Sequence, residues 1–241
     1  MKRFKFRGGV HPEGRKDLSA EPPIRPLPLP ERLFVPLQQH IGAAARHLVT
    51  VGERVKKGQL LAASQGALSA PVHAPTSGRV VALGDHPAPH PSGLPLATLI
   101  IEADGDDAWI DCAAPADPFA LSPEQVAERV GAAGIVGLGG AAFPSAVKLN
   151  LSRDSAVRTL IMNGGECEPY LTCDDRLMRE RASEVVEGIR LIRHATGARE
   201  VLVGIEDNKP EAIAAMTAAA AGTEVRVVAV PAMYPMGSEK Q

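Results

Sequence analysis

A β-rich module followed by an α/β domain with a mainly parallel sheet is the fold class this sequence predicts. Between residues 37 and 103, short apolar pieces alternate with Gly and Pro punctuation: Leu48 to Val51, Gln59 to Ala62, Arg79 to Leu83 and Ala97 to Ile101. From residue 119 onward, strand-like and helix-like segments alternate, which implies a parallel sheet with helices on its faces. Between them, residues 104–118 are acidic and carry two prolines, the composition of a linker.

Each element follows from local chemistry. Residues 1–36 contain seven prolines, which fix φ and remove donors, so this segment is expected as an extended arm. Residues 84–95, with four prolines and two glycines, are expected as a loop that includes His86 and His90. With no third ligand nearby, those two histidines make a poor metal cage, and His73 reads as a packed or surface histidine. Ser122-Pro123-Glu124-Gln125 is a helix start, with Ser as cap, Pro in the first turn and Gln three residues after the cap. Strands are expected over Arg158 to Met162, Glu200 to Ile205 and Glu224 to Val230. Thr172-x-x-Asp175 should open a helix with Met178, Val185, Ile189 and Ile192 on one face. A second, Ala-rich helix should run from Asn208-Lys209-Pro210-Glu211 to Gly222. The chain stops where a further helix should begin, so the α/β domain of residues 119–241 is expected to be truncated at its C-terminus.

Composition excludes several functions. With 26 Lys and Arg against 28 Asp and Glu, the chain lacks the basic excess of a general nucleic-acid binder. No apolar run approaches the ~18 residues needed to span a bilayer, and the basic N-terminus lacks the apolar stretch of a signal peptide. Three cysteines, an odd number, suit a reducing cytoplasm better than a disulfide framework. No C-x-x-C-x-x-C run occurs, so this chain ligates no cubane cluster with its own cysteines.

Val51-Gly52-Glu53-Arg54-Val55-Lys56-Lys57-Gly58, followed by Ala74-Pro75-Thr76-Ser77-Gly78-Arg79-Val80, resembles the biotinyl/lipoyl barrel-sandwich hybrid. A carrier needs a lysine at the tip between the two halves. Here the tip is Gln65-Gly66-Ala67-Leu68-Ser69-Ala70, and no lysine occurs between Lys57 and Lys148. Without that amine no biotinyl or lipoyl amide forms, so the module is expected to serve docking or structure.

The candidate chemistry lies in two loops. Gly137-Leu138-Gly139-Gly140-Ala141-Ala142-Phe143-Pro144 leads into a short helix that carries Lys148. Glycines let a backbone approach a phosphate and point N–H groups at it, and Lys148 lies one turn further on. Alone this is a weak signal, since it matches neither G-x-G-x-x-G nor a P-loop. Asn163-Gly164-Gly165-Glu166-Cys167-Glu168-Pro169-Tyr170 follows the first strand of the α/β part, at the edge where such sheets bind ligands. Its plainer reading is a polar loop capping the Asp175 helix.

Together with Cys173-Asp174-Asp175-Arg176-Leu177-Met178, these loops resemble the RnfC (RsxC) component of the Rnf electron-transport complex. The likeness includes Phe6-Arg7-Gly8-Gly9-Val10-His11-Pro12, Pro36-Leu37-Gln38-Gln39-His40-Ile41-Gly42 and Gly204-Ile205-Glu206-Asp207-Asn208-Lys209-Pro210. More distantly the α/β part is similar to the NADH-oxidising flavoprotein subunit of respiratory complex I. That resemblance implies FMN and NAD(H) as cofactors. It places Gly137, Gly139, Gly140 and Lys148 on FMN with Asn163 and Glu166 nearby, Phe143 at the adenine of NADH, and Glu168 at its sugar or amide. Tyr234, Gly237 and Glu239 match the relative's Tyr-x-x-Gly-Glu-Glu segment. Two acidic positions of the relative's motifs are Gly165 and Ser238 here. No protein side chain is implied as a catalyst, Cys167 included, and no metal site.

The resemblance further implies a peripheral subunit on the cytoplasmic side of the inner membrane. It would pass electrons between NAD(H) and iron–sulfur centres or ferredoxin, coupled to ion movement and working with the other subunits of the complex. The two [4Fe-4S] clusters of full-length relatives would lie outside this chain. The alternative is a non-catalytic scaffold that docks other subunits.

Overall fold

The computed structural model of the chain describes residues 7–90, 92–138, 141–150 and 156–238. Gly139, Gly140 and Glu239, all expected at the cofactor site, lie outside the described residues, as does Phe6. The chain divides into two compact units: Leu27–Ser152, and Met1–Pro26 together with Arg153–Gln241.

The first, or β, unit contains β1 (Arg32–Pro36), β2 (Arg46–His47), β3 (Arg54–Val55), β4 (Leu60–Ala63), β5 (Val72–His73), β6 (Gly78–Pro87) and β7 (Pro95–Ala103). Two short helices follow, α1 (Pro123–Ala132) and α2 (Ser145–Leu149). One antiparallel sheet has the order β1-β7-β6-β3 and a second the order β2-β4-β5. Their inward residues, among them Val35, Leu61, Val72, Val80, Leu99 and Ile101, form one apolar core. The period of two along each strand sends these side chains inward and leaves Arg32, Arg79 and Glu102 outside.

Three local expectations shift. The hairpin β6–β7 reaches Pro87↔Pro95, so the loop expected over residues 84–95 shrinks to its central part. Both prolines sit at the last rung of the ladder, where a missing donor costs least. His86 therefore lies on β6, its ring 4.2 Å from that of Phe34, while His90 in the loop meets Ser92 at 2.9 Å. The strand expected at Leu48 to Val51 falls instead at Arg46–His47, because Thr50 to Glu53 is bent into a turn by the bond from the Glu53 N–H to the Thr50 carbonyl. Lastly, residues 104–110 of the expected linker pack against the module. Lys57 exchanges backbone bonds with Ala108 and Ile110, and its ammonium meets Asp107 at 2.6 Å and the Trp109 ring at 5.1 Å.

The α/β unit contains β8 (Thr159–Gly164), α3 (Cys173–Glu180), α4 (Ala182–Thr196), β9 (Glu200–Glu206), α5 (Pro210–Ala219) and β10 (Val225–Val230). Its strands are parallel in the order β10-β9-β8. Leu160, Met162, Val201, Val203, Ile205, Val225 and Val227 turn one face toward Met178, Val186, Ile189, Ala212 and Met216 of the helices. The single helix expected from Thr172 is two. Arg181, at φ −132° and ψ 34°, breaks it so that Met178 and Ile189 reach the core from separate axes.

The arm residues up to Pro26 belong to this unit. Lys16 Nζ donates to the carbonyls of Glu166 (2.7 Å), Glu168 (3.2 Å) and Leu171 (2.7 Å). Ser19 Oγ donates to Tyr170, Thr172 Oγ1 to Ser19, and the Ile24 N–H to Glu180. Val10 and Tyr234 exchange two backbone bonds, and a Cβ on Gly9 would lie 2.3 Å from Met233 Sδ, so a larger residue there would require the Met233 side chain to move.

Leu99 is fully buried in the β core. Leu99→Ala is expected to cost about 2–5 kcal/mol. A fall in the urea midpoint at unchanged m-value is the measurement that checks it.

Candidate functional site

In the β unit, α1 carries the capping box expected for it. Ser122 Oγ accepts the Gln125 N–H (3.3 Å), and the Gln125 side chain accepts the Ser122 N–H (2.8 Å). The glycine loop follows. Its neck is closed by the Gly137 N–H on the Phe143 carbonyl (2.8 Å) and the Ser145 N–H on the Ile135 carbonyl (2.9 Å). Pro144, expected in the first helical turn, instead holds the cap position before α2.

One helical turn on, Lys148 Nζ lies 5.6 Å from the centre of the Phe143 ring. It is also 4.0 Å from the place where a Cβ on Gly137 would stand. The structure thus brings Gly137, Phe143 and Lys148 together. No carboxylate among the described residues pairs with this ammonium. A glycine neck, an aromatic face and an exposed ammonium fit a phosphate or a ring carbonyl and leave room for either.

The other expected residues lie in the α/β unit, and there the side chains serve the loop itself. Asn163 Nδ2 donates to the Gly237 carbonyl (2.8 Å), and its Oδ1 accepts the Gly165 N–H (2.9 Å). The Gly237 N–H meets Cys167 Sγ at 3.0 Å. Glu166 is 3% exposed and caps α3: its carboxylate accepts the N–H groups of Asp174 (2.7 Å) and Asp175 (3.3 Å). Carboxylates suit a helix N-terminus because four N–H groups there lack helical partners. The Glu168 side chain is exposed, and Tyr234 is held through its backbone to Val10.

Sequence reasoning missed the group that organises this loop. Lys209 is 5% exposed, bonded to the Glu206 carboxylate and 3.8 Å from that of Glu166. Glu206 in turn accepts the Glu166 N–H at 3.1 Å. The available signal was an oppositely charged pair three residues apart, between an apolar strand and a proline-started helix.

Burial raises the Cys167 thiol above its ordinary range, and burial together with the neighbouring Asp174 and Glu166 carboxylates raises that of Cys173. Neither is an activated thiolate. Ligand atoms of Glu166, Cys173 and Asp174 lie within 4.8 Å of one another, a closeness that the capping by Glu166 accounts for.

Two family models match the chain. One is described as the RnfC barrel sandwich hybrid domain and covers residues 4–106; the other is the Nuo51 FMN-binding domain and covers residues 130–241. The class is therefore a barrel-sandwich module joined to a domain of the complex I flavoprotein type, in keeping with the antiparallel and parallel sheets. The chain belongs to the RnfC family, the C subunits of the ion-translocating oxidoreductase complexes, which its motifs resemble. It is 53% identical to the C subunit of Rhodobacter capsulatus over 100% of this chain and 47% of the relative. The Pseudomonas aeruginosa relative of the same name is 50% identical over 98% of this chain and 30% of its own length. The chain thus spans half or less of the length of these curated relatives. Among solved structures, an NAD+-reducing [NiFe]-hydrogenase chain in the H2-reduced state is 27% identical over 51% of this chain and 23% of that one, with a TM-score of 0.45.

Lys209→Met should leave the Glu166 and Glu206 carboxylates buried without their cation, costing about 3–5 kcal/mol. Chemical denaturation followed by a probe in the α/β unit checks this.

His73 supplies a pH test for the β unit. Burial holds its pKa below the ordinary 6.5, partly offset by a bond to the Ala132 carbonyl. The unfolded chain therefore takes up this proton first. Stability from this group is complete above pH 6.5 and declines as pH falls from there toward the lowered native value. Urea midpoints at pH 7.5 and 5.5 should converge in His73→Gln relative to the unsubstituted chain.

Proposed function

We propose that this chain is the FMN- and NAD(H)-binding portion of a peripheral subunit in a membrane-associated electron-transport complex. The carrying observation is the Lys148 ammonium beside Gly137 and the Phe143 ring, within a segment that the FMN-binding family model matches. The relatives' names, as C subunits of ion-translocating oxidoreductase complexes, support the same reading. In it, electrons pass between NAD(H) and iron–sulfur centres or ferredoxin, coupled to ion translocation. In this reading the [4Fe-4S] clusters and other subunits lie outside this chain, and the subunit sits peripherally on the cytoplasmic side of the inner membrane. Among the described residues no helix is long and apolar enough to cross a membrane.

The chemistry supplied by a bound flavin is hydride exchange with NAD(H) and single-electron release to iron–sulfur centres. Lys148 offers charge to a phosphate or a ring carbonyl, and Gly137, with Gly139 and Gly140, lets the backbone approach. Phe143 offers a stacking face to the adenine of NADH, and Glu168 an exposed carboxylate to its sugar or amide. Asn163 and Glu166 fix the shape of the second loop, which Asn163 ties to the Gly237 carbonyl, and Tyr234, Gly237 and Glu239 share one sequence motif.

One observation favours the scaffold alternative: the Asn163 and Glu166 side chains are already engaged in internal bonds. Flavin titration separates the two. The full-length subunit should quench FMN fluorescence on binding, and NADH should bleach the bound flavin. Lys148→Met removes one charge-assisted bond and should weaken FMN about 10- to 100-fold without unfolding the chain. A folded subunit that binds no flavin would favour the scaffold.

A further inference from the structure

The N-terminal arm grips the loop after β8 through one side chain above all. Lys16 is half-buried and has three protons to donate. Three main-chain carbonyls receive them: those of Glu166 (2.7 Å), Glu168 (3.2 Å) and Leu171 (2.7 Å). An ammonium satisfied in this way has no donor left for a ligand. It acts on the backbone of the loop, and the carbonyls it holds lie on both sides of Tyr170.

Tyr170 has φ +70°, a conformation that a bulky residue keeps only where its surroundings impose it. The imposing bonds come from the arm. The Tyr170 N–H donates to the Gly14 carbonyl (2.8 Å), and the Tyr170 carbonyl accepts from Ser19 Oγ (2.7 Å). On the arm's side Arg15, between Gly14 and Lys16, is also left-handed, at φ +50°. That turn lets the Gly14 carbonyl and the Lys16 side chain reach the same loop. Two strained residues therefore stand at one contact, each held by the other segment.

The two acids of the loop fare differently under this grip. Glu166 is buried and fixed from within by the α3 N–H groups it caps. Glu168 is exposed, and its carbonyl is one of the three that Lys16 holds. The direction of its carboxylate follows from a backbone that the arm shapes.

We propose that Lys16 is a positioning residue for the Glu168 carboxylate, so that the N-terminal arm sets how tightly the site takes the sugar or amide donors of NAD(H). The proposal rests on the reading of this chain as an FMN- and NAD(H)-binding portion and deepens it. FMN is assigned mainly to the glycine loop of the β unit, so loosening the arm acts on NAD(H) and spares FMN.

The test uses the full-length subunit loaded with FMN and mixed rapidly with NADH in the absence of oxygen. The concentration dependence of flavin bleaching gives the NADH affinity and the limiting rate. Lys16→Met should weaken NADH about tenfold, the weight of one charge-assisted hydrogen bond, with FMN affinity and the limiting rate unchanged. Water can take over the three carbonyls, since two of the contacts are exposed, so this variant should stay folded. Lys16→Gln, with two donors for three, should fall between and carries the same comparison should Lys16→Met not fold. Glu168→Ala should weaken NADH by a similar factor. Adding Lys16→Met to Glu168→Ala should weaken it no further, because the lysine acts through that carboxylate. Factors that multiply in the double variant overturn the proposal, as does unchanged NADH affinity in a folded Lys16→Met or Glu168→Ala. Equal losses of FMN and NADH, the mark of a merely structural lysine, also overturn it. In each of these cases an unsubstituted subunit that binds FMN and is bleached by NADH leaves the flavin reading standing. A folded unsubstituted subunit that binds no flavin overturns both.

Discussion

A lysine ammonium buried to 5% exposure stands beside two carboxylates, those of Glu206 and Glu166, that are more deeply buried still. Removing three charges from water is costly, and the cost is offset only when their remaining hydrogen-bonding capacity is also used. Here it is. Glu166 spends its oxygens on the first turn of α3, and Glu206 accepts the Glu166 backbone N–H. One cation thus ties the end of β9, the loop after β8 and the start of α3 into a single corner. Lys16 closes that corner from outside by donating to three carbonyls of the same stretch. The shape of the loop from Asn163 to Tyr170 follows from this charge balance, and Asn163 passes that order on to Gly237.

Such an arrangement bears on how polar loop residues are interpreted. An Asn and two acids at the carboxyl edge of a parallel strand have the composition of a ligand site. In this loop the Asn and the first acid saturate their own backbone, and the second acid, Glu168, keeps an exposed side chain. The glycine loop shows the opposite distribution. Its neck satisfies itself through backbone bonds alone, which among the described residues leaves the Lys148 ammonium and the Phe143 ring with only each other. Unspent polar capacity, more than polarity, separates the two.

What was legible in the sequence tracks the range of the interaction responsible. The Ser122/Gln125 capping box, the proline-started α5 and the apolar runs of β8, β9 and β10 depend on neighbours a few residues away, and all are present. The break at Arg181 arises because α3 and α4 must each reach the core on its own axis. The rungs from Gly84 to Pro87 need β7 alongside. The role of Lys209 depends on Glu166, which is remote in sequence, and nothing within either local motif announces the pair. At the site, the glycine loop was visible as a loop. That Lys148 folds back over Phe143 was not, because it depends on how α2 leaves the neck.

The β module shows how one missing amine changes the use of a fold. A swinging carrier needs a free tip with a lysine on it. Here the tip is tied down: Gln65 Nε2 donates to Ala44, Ser69 Oγ to Ala43, and the Ala43 N–H to Leu68. His40, itself buried, accepts the Ala70 N–H at 3.0 Å and so pins the far side of the same turn. Beyond it, Pro71 and His73 press against Gly134. Each of these bonds would have to break for the tip to swing, and no reward awaits it without a lysine to carry a group. Rigidity at this point is therefore the useful property.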